Sequence, residues 1–452
     1  MSILSLNELA LELVARDFSD GHAPSNGGPT RTSRALAIIH LAAYNAYAQV
    51  TNAFLPRPGT LPPKPLGLAS NDATGTVALL SAGLLAAEQL YPDFKDFINE
   101  VVTSGARKLN GDILKIEVNN NPAAVVYGRT IADAVLDSRK NDNSDLPQLD
   151  RLYSDEPGKY RPDPTGSNPD TLGRTWGLVK PFVLNSVAVD APLAPPPTLN
   201  SQDYATAFDQ VVELGRDNII QRDRDFRRRA TIGIFWGYDG ANQLGTPPRL
   251  YNQVVRAIPE LLTATHALQI KVLTAVNVAM ADAGIAAWHW KYEYDFWRPV
   301  VGIREADNGW GPTGRGDGNI IRTRAGNPYW LPLGAPQSNP LKPPLPNTTP
   351  NFPAYPSGHS TFGSACFETV AALLGKATRD IKFTFISGEF NGKTTDNSGT
   401  ARPKLAKDFT LDQAIQDNED SRIFLGVHWR FDATGGKTVG EAVARKTVTA
   451  FM

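Results

Sequence analysis

Apolar residues recur at three-to-four spacing along most of this chain, and that period commits it to helices. The pattern runs through residues 33–51, 74–90, 122–137, 202–216, 262–290, 361–375 and 436–450. The N-terminal stretch MSILSLNELALELVARDFSD joins them as an amphipathic helix rather than a secretory signal. Glu8 and Glu12 interrupt its apolar residues, and it has no basic leader. Period-two alternation is scarce, and IKFTFIS at 381–387 is the best strand candidate. Loop-like stretches lie at 55–68, 141–200 and 305–356; the last two, rich in proline and glycine, are too long for simple connectors. Loops of that length are expected to carry function or to pack across a surface. The expected fold is mostly α: two helix bundles with long irregular loops, in a single unit over 1–452. Residues 1–200 supply N-terminal helices and loops, and 201–452 a C-terminal bundle carrying the site. At 452 residues, two sub-cores are expected rather than one.

Composition narrows the function. With 45 basic against 46 acidic residues the net charge is -1, which argues against wholesale binding to nucleic acid or an anionic membrane. The single cysteine, Cys366, excludes an intramolecular disulfide framework and any cysteine-based structural zinc site. The most apolar long window, 272–290, still holds Asn277, Asp282 and His289, so it reads as a buried helix and not a membrane span. The expectation is a soluble protein, cytoplasmic or exported by a non-classical route. RDRDFRRR at 222–229 is interrupted by Asp223 and Asp225 and reads as a solvated helix face. RGD at 315–317 sits in a glycine-rich loop and carries no argument for adhesion. His22, His40 and His266 have no partner pattern and read as ordinary histidines.

Chemistry concentrates in three places. In KYEYDFWRP, Lys291 and Arg298 are seven apart, which on one continuous helix puts them on the same face, with Pro299 favouring a kink or an end. Their aromatic surroundings suggest burial, and buried cations need an anionic partner. In NFPAYPSGHSTFG, Ser357 is a candidate N-cap, and Gly358 lets a ligand approach the backbone. His359 then lies in the first turn, where helix N–H groups favour an anion. In SRIFLGVHWRFD, Arg422 and His428 converge only if the chain breaks between them, and Gly426 is the natural place. Asp432, four residues past His428, is either a partner of its imidazole or a surface residue. Two arginines, a lysine, a serine hydroxyl and helix-terminal N–H groups together make a pocket for a tetrahedral oxyanion, and two histidines add a nucleophile or ligand and an acid/base.

Lys291–x6–Arg298–Pro299, Pro356–Ser357–Gly358–His359 and Ser421–Arg422–x5–His428–x3–Asp432 resemble the signature shared by type-2 phosphatidic acid phosphatases and vanadium-dependent haloperoxidases. The gaps between them, 56 and 61 residues, are longer than is typical of the phosphatases. FWGYDGANQLGTPPRLYNQVVRAI (235–258), FPAYPSGHSTFG (352–363) and SRIFLGVHWRFDA (421–433) are similar to the vanadium chloroperoxidase type. The resemblance implies a vanadate cofactor caged by Lys291, Arg298, Arg422, Ser357 and the Gly358 N–H. It makes His428 the axial ligand of vanadium and His359 the acid/base. Asp239 is then a carboxylate balancing a cationic site residue, and Trp288 and Phe352 form the apolar wall where halide approaches. The implied reaction takes hydrogen peroxide and halide to hypohalous acid, which halogenates small organic substrates. A second reading is a soluble acid phosphatase with His428 as phosphoryl acceptor. No nucleic-acid or membrane partner is expected, and a homodimer is compatible with the apolar bundle faces.

Overall fold

A computed structural model describes the chain except residues 1, 20, 58–60, 104–106, 110–111, 115–120, 149–152, 155, 167–169, 218–222 and 306–325. The RGD tripeptide, Arg222 and part of the 305–356 loop therefore lie outside the described residues. Fifteen α-helices occur among those described. The first are α1 (Ile3–Asp17), α2 (Gly28–Thr51), α3 (Asp72–Leu90), α4 (Lys95–Thr103) and α5 (Pro122–Ser138). Then come α6 (Val187–Asp190), α7 (Gln202–Leu214), α8 (Arg224–Phe235), α9 (Pro247–Arg256), α10 (Pro259–Leu262) and α11 (His266–Tyr294). The chain finishes with α12 (Pro299–Arg304), α13 (Gly358–Leu374), α14 (Leu411–Phe424) and α15 (Arg430–Phe451). Two antiparallel pairs complete it, β1 (Arg107–Leu109) with β2 (Asp112–Leu114) and β3 (Lys382–Asn391) with β4 (Lys404–Thr410). The strand expected at 381–387 is β3. Its Phe383 and Phe385 are buried while Lys382, Thr384 and Ile386 are exposed, the alternation of a strand with one face on the core.

Helices α2, α3 and α5 pack on one another, as do α11, α13 and α15. They share one continuous apolar core rather than forming two. The reason is α11, which is apolar on all sides and so must be covered all round: α2 and α1 lie against it as well as α13 and α15. By length and composition both α3 and α11 could cross a membrane, but 67% and 94% of their apolar windows are buried within the fold. Polar residues on α11 are satisfied internally. Asn277 exchanges side-chain hydrogen bonds with Asn252 of α9 at 2.8 and 3.0 Å, and Asn252 accepts from Asn7 of α1 at 2.9 Å. Asn7 also meets the ring of His40 of α2 at 3.1 Å, so His40 is a core histidine. Asp282 accepts from the backbone N–H groups of Phe182, Val183 and Leu184 at 2.6, 2.8 and 3.0 Å, tying the long loop to the core.

Helices α13 and α15 approach closely, and small residues permit it. A Cβ on Gly436 would lie 2.6 Å from the Ser357 carbonyl oxygen, and one on Gly440 2.6 Å from that of Thr361. Gly436→Ala is expected to cost about 1–3 kcal/mol by overpacking, read as a lowered Tm, because the obstructing atom is helix-terminal backbone and cannot swing away.

Candidate active site

Lys291 and Arg298 do not share a helix. Helix α11 stops at Tyr294 because Asp295 turns into the left-handed region (φ 55°), and Arg298 is the N-cap of α12 with Pro299 as its first residue. A seven-residue spacing on one helix therefore does not explain why they meet; the reversal at Asp295 does. Both are buried, at 0% and 1% exposure. The Phe352 ring meets both, 5.0 Å from Lys291 Nζ and 4.9 Å from the Arg298 guanidinium carbon, so its π system offsets part of their desolvation.

Ser357 caps α13 as expected, its Oγ accepting from Ser360 N at 3.4 Å, and the helix begins at Gly358. The amides that open a helix stand outside its i→i−4 ladder. His359 is fixed from two sides. Its Nε2 donates to the Gly237 carbonyl at 2.9 Å, since a carbonyl can only accept. Its backbone carbonyl accepts from Tyr251 Oη and Asn418 Nδ2, both at 3.0 Å. Tyr251 and Asn418 were not singled out in the sequence, and a lone tyrosine and asparagine in helices carry no local signal for this role.

The break between Arg422 and His428 falls where glycine is required. Helix α14 ends at Phe424, and Gly426 adopts φ 71° with any Cβ only 2.3 Å from the Gly215 carbonyl oxygen. Beyond it Arg298 Nη1 donates to the Val427 carbonyl at 2.7 Å and to His428 Nε2 at 2.9 Å. An arginine only donates, so His428 Nε2 is the unprotonated nitrogen. The proton sits on Nδ1, which donates to Asp432 Oδ2 at 2.8 Å. Asp432 also accepts from Trp429 N at 3.0 Å and is wholly buried, so it is the imidazole's partner and not a surface residue. This chain of donors orients the Nε2 lone pair.

Charge is concentrated here. Burial, then Arg298, Lys291 and Arg422, hold His428 well below its usual range, and burial and Arg422 do the same to His359. Both are neutral imidazoles. Burial pushes the Asp432 carboxyl up to about 7 against the pull of the Trp429 N–H, Lys291 and Arg298. Asp239 gives both oxygens to Arg422 Nη2, at 3.0 and 3.1 Å. Lys291 spends its N–H groups on the carbonyls of Pro353, Ala354 and Pro356 at 2.7, 3.0 and 2.6 Å, so it anchors the loop before α13 and contributes charge through space. By contrast Arg298 Nη2 and Arg422 Nε and Nη1 are buried without a protein acceptor. Three buried guanidinium donors without acceptors are costly unless an anion takes them.

A cavity of about 450 Å³ opens on this cluster, with Asp239, Trp288, Phe352, Gly358, His359, Arg422 and His428 in its wall. Lys291, Arg298 and Asp432 each contact a lining residue, and Ser357 precedes Gly358. The sequence-derived site residues thus come together.

Fold and site together define a mostly helical oxyanion-binding protein with a neutral, carboxylate-oriented imidazole beside the anion donors. The profile of the VCPO second helical-bundle domain matches residues 271–452. Over 97% of its length the chain is 30% identical to the vanadium chloroperoxidase of Curvularia inaequalis, of which it covers 80%. The chain belongs to the vanadium-dependent haloperoxidases. The fold is shared with a bacterial vanadium-dependent iodoperoxidase (TM-score 0.69, 20% identity, 99% of this chain and 95% of that one). It is shared also with a bacterial vanadium-dependent chloroperoxidase in its holo form (TM-score 0.67, 17% identity, 95% and 94%).

Proposed function

We propose that this cavity holds vanadate and that the chain oxidises halide with hydrogen peroxide to hypohalous acid, which halogenates small organic molecules. The observation that carries the reading is the set of buried, acceptor-less donors on Arg298 and Arg422, placed beside an imidazole whose unprotonated Nε2, accepting from Arg298 Nη1, faces the same cluster. Three cations face the half-buried carboxylate of Asp239 and the buried carboxyl of Asp432, so a bound oxyanion offsets the cluster's excess positive charge.

When bound, vanadate supplies a centre that takes up hydrogen peroxide and makes one of its oxygens electrophilic toward halide without a change of oxidation state. The protein does the rest. Arg298 Nη2 and Arg422 Nε and Nη1 donate to the anion's oxygens, with Ser357 and the Gly358 N–H at the mouth of α13 and Lys291 adding charge. His428 is the nitrogen ligand, kept in its tautomer by Asp432. His359 has Nε2 committed to Gly237, so Nδ1 is the nitrogen that holds and releases the proton consumed when halide becomes hypohalous acid. Trp288 and Phe352 keep the approach of halide dry, and dryness strengthens each charge interaction inside. The chain works as one unit, since Phe18, Gly28 and Leu172 line the same cavity as His359 and His428.

The test is one preparation assayed twice: p-nitrophenyl phosphate hydrolysis without vanadate, and monochlorodimedone bromination with vanadate and peroxide. Bromination that appears only with vanadate supports the proposal. Phosphatase turnover with no bromination at saturating vanadate overturns it in favour of a phosphatase. Asp432→Asn is expected to weaken vanadate about 10–100-fold, the usual effect of losing a ligand's outer partner. An amide turned toward Nδ1 as donor leaves the proton on Nε2, against the Arg298 N–H. Equilibrium dialysis reads the change.

A further inference from the structure

Tyr238 has φ 31°, in the left-handed range that a bulky side chain rarely adopts. It is wholly buried and sits inside the turn 237–240, between α8 and α9. The residues on either side of it both reach the active site. Gly237 gives its carbonyl to His359 Nε2 at 2.9 Å, and Asp239 gives both oxygens to Arg422 Nη2 at 3.0 and 3.1 Å. Both contacts therefore depend on one backbone conformation.

Peptide hydrogen bonds fix the ends of the turn: Gly237 N donates to the Ile234 carbonyl and Gly240 N to the Gly245 carbonyl, each at 2.9 Å. Tyr238 between them is held through its side chain. Its Oη accepts from Gly388 N at 2.7 Å and donates to Gln253 Oε1 of α9 at 2.9 Å. Gly388 is itself pinned. It lies where the register of β3 against β4 shifts, between Ile386 and Asn391, and its carbonyl accepts from Thr394 Oγ1 at 2.6 Å. Beside it Ser387 Oγ donates to the Phe235 carbonyl at 2.7 Å, tying the same irregularity to the end of α8. Such irregularities serve to re-aim groups beside active sites. A Cβ on Gly388 would lie 2.4 Å from Tyr238 Oη, so glycine is what lets the phenol come this close. A strained φ persists only where its surroundings over-determine it, and here the two hydrogen bonds of the phenol supply that constraint.

Resting on the assignment of His359 and Arg422 given above, we propose that Tyr238 is a positioning residue for both. Its phenol, clamped between β3 and α9, holds the turn that sets the His359 tautomer and aims the Arg422 guanidinium. When the phenol lets go, φ relaxes toward the ordinary negative region, and the peptide units on its two sides rotate against each other. The Gly237 carbonyl then leaves Nε2, whose proton is free to move to Nδ1, and Asp239 no longer meets Arg422 with both oxygens. Helix α9 serves His359 twice, since Tyr251 holds its carbonyl and Gln253 holds Tyr238.

The test uses Tyr238→Phe, which keeps the ring and removes both hydrogen bonds, and Gly388→Ala, which keeps the phenol and displaces it. Protein labelled with ¹⁵N-histidine has six imidazoles, and His359→Ala identifies the one in question. Two-bond ¹⁵N–¹H correlation distinguishes the Nε2–H tautomer from the Nδ1–H one. Wild type is expected in the Nε2–H form, with the tautomer ratio falling about 3- to 10-fold in each variant, as for a lost neutral hydrogen bond. Phosphate affinity, read by equilibrium dialysis, is expected to fall by a similar factor as Arg422 loses its two-oxygen hold on Asp239. Tyr127→Phe, which removes the bond of a buried phenol on α5 to the Pro62 carbonyl, is the control for stability. It is expected to lower Tm without moving either readout. Tyr238 and Gly388 variants that melt lower yet keep the wild-type tautomer ratio and phosphate affinity overturn the proposal. So does movement of one readout alone, which leaves the other contact independent of Tyr238. Vanadate dialysis of the wild type separates the two ideas: vanadate unbound sinks the reading of the site, while the tautomer and phosphate readouts still judge Tyr238.

Discussion

His428→Ala is expected to abolish retention of vanadate, weakening it well over 100-fold, beyond the effect of an outer partner such as Asp432. What decides the effect is which ring nitrogen bears the lone pair. His428 Nε2 accepts from Arg298 Nη1, so it bears a lone pair, and Asp432 holds the proton on the far side of the ring. Alanine removes the neutral nitrogen that lies against Arg298. The anion cage itself survives: Arg422 remains on Asp239, and Arg298 remains on the carbonyls of Phe352 and Val427. Phosphate, held by charge and hydrogen bonds alone, is therefore expected to bind the variant within a few-fold of wild type. The two anions are measured side by side by equilibrium dialysis. Equal losses for vanadate and phosphate would give His428 a role in shaping the cage and not in ligation. Retention of vanadate at wild-type affinity would sink the assignment. The variant also leaves the buried Asp432 with one N–H donor fewer, which is expected to lower stability by about 1–3 kcal/mol.

Much of this site was legible in the sequence because residue type and short spacing carry it. Ser-Gly-His before an apolar run specifies a capped helix with a histidine in its first turn, and both the cap and the turn are local events. Gly426 between Arg422 and His428 marked a break for the same reason, as glycine adopts a left-handed φ without steric cost. Long-range placement was not legible. The pairing of Lys291 with Arg298 depends on a reversal at Asp295, a residue with a side chain in a left-handed conformation, and no glycine announces it. Tyr251 and Asn418 hold the His359 carbonyl across 108 and 59 residues of sequence. Their helices give only the apolar period, which says which face is inward and nothing about what an inward polar group meets. The single core was likewise hidden, since an all-apolar α11 reads the same whether it serves one bundle or two.

His359→Ala is expected to keep vanadate but lose halide oxidation by about 10²–10⁴, the effect of removing a positioned acid/base. The structure separates the two functions. His359 donates through Nε2 to the Gly237 carbonyl and makes no hydrogen bond to Arg298, Arg422 or His428. Its loss therefore leaves the anion donors and the ligating nitrogen in place. Burial and the Arg422 charge hold its pKa well below the usual value, so at neutral pH it is unprotonated before an anion arrives. The sign of the coupling follows. An oxyanion on Arg298 and Arg422 cancels the positive field that depresses the imidazole, raises its pKa and draws a proton onto Nδ1. Anion binding is thus expected to take up protons near neutral pH, and His359→Ala to reduce that uptake. Titrating vanadate calorimetrically in buffers of different ionisation enthalpy reads the proton count directly, independently of turnover. Wild-type and variant proteins that take up the same number of protons would remove His359 as the group that titrates. A variant that oxidises bromide at the wild-type rate would remove it from the chemistry.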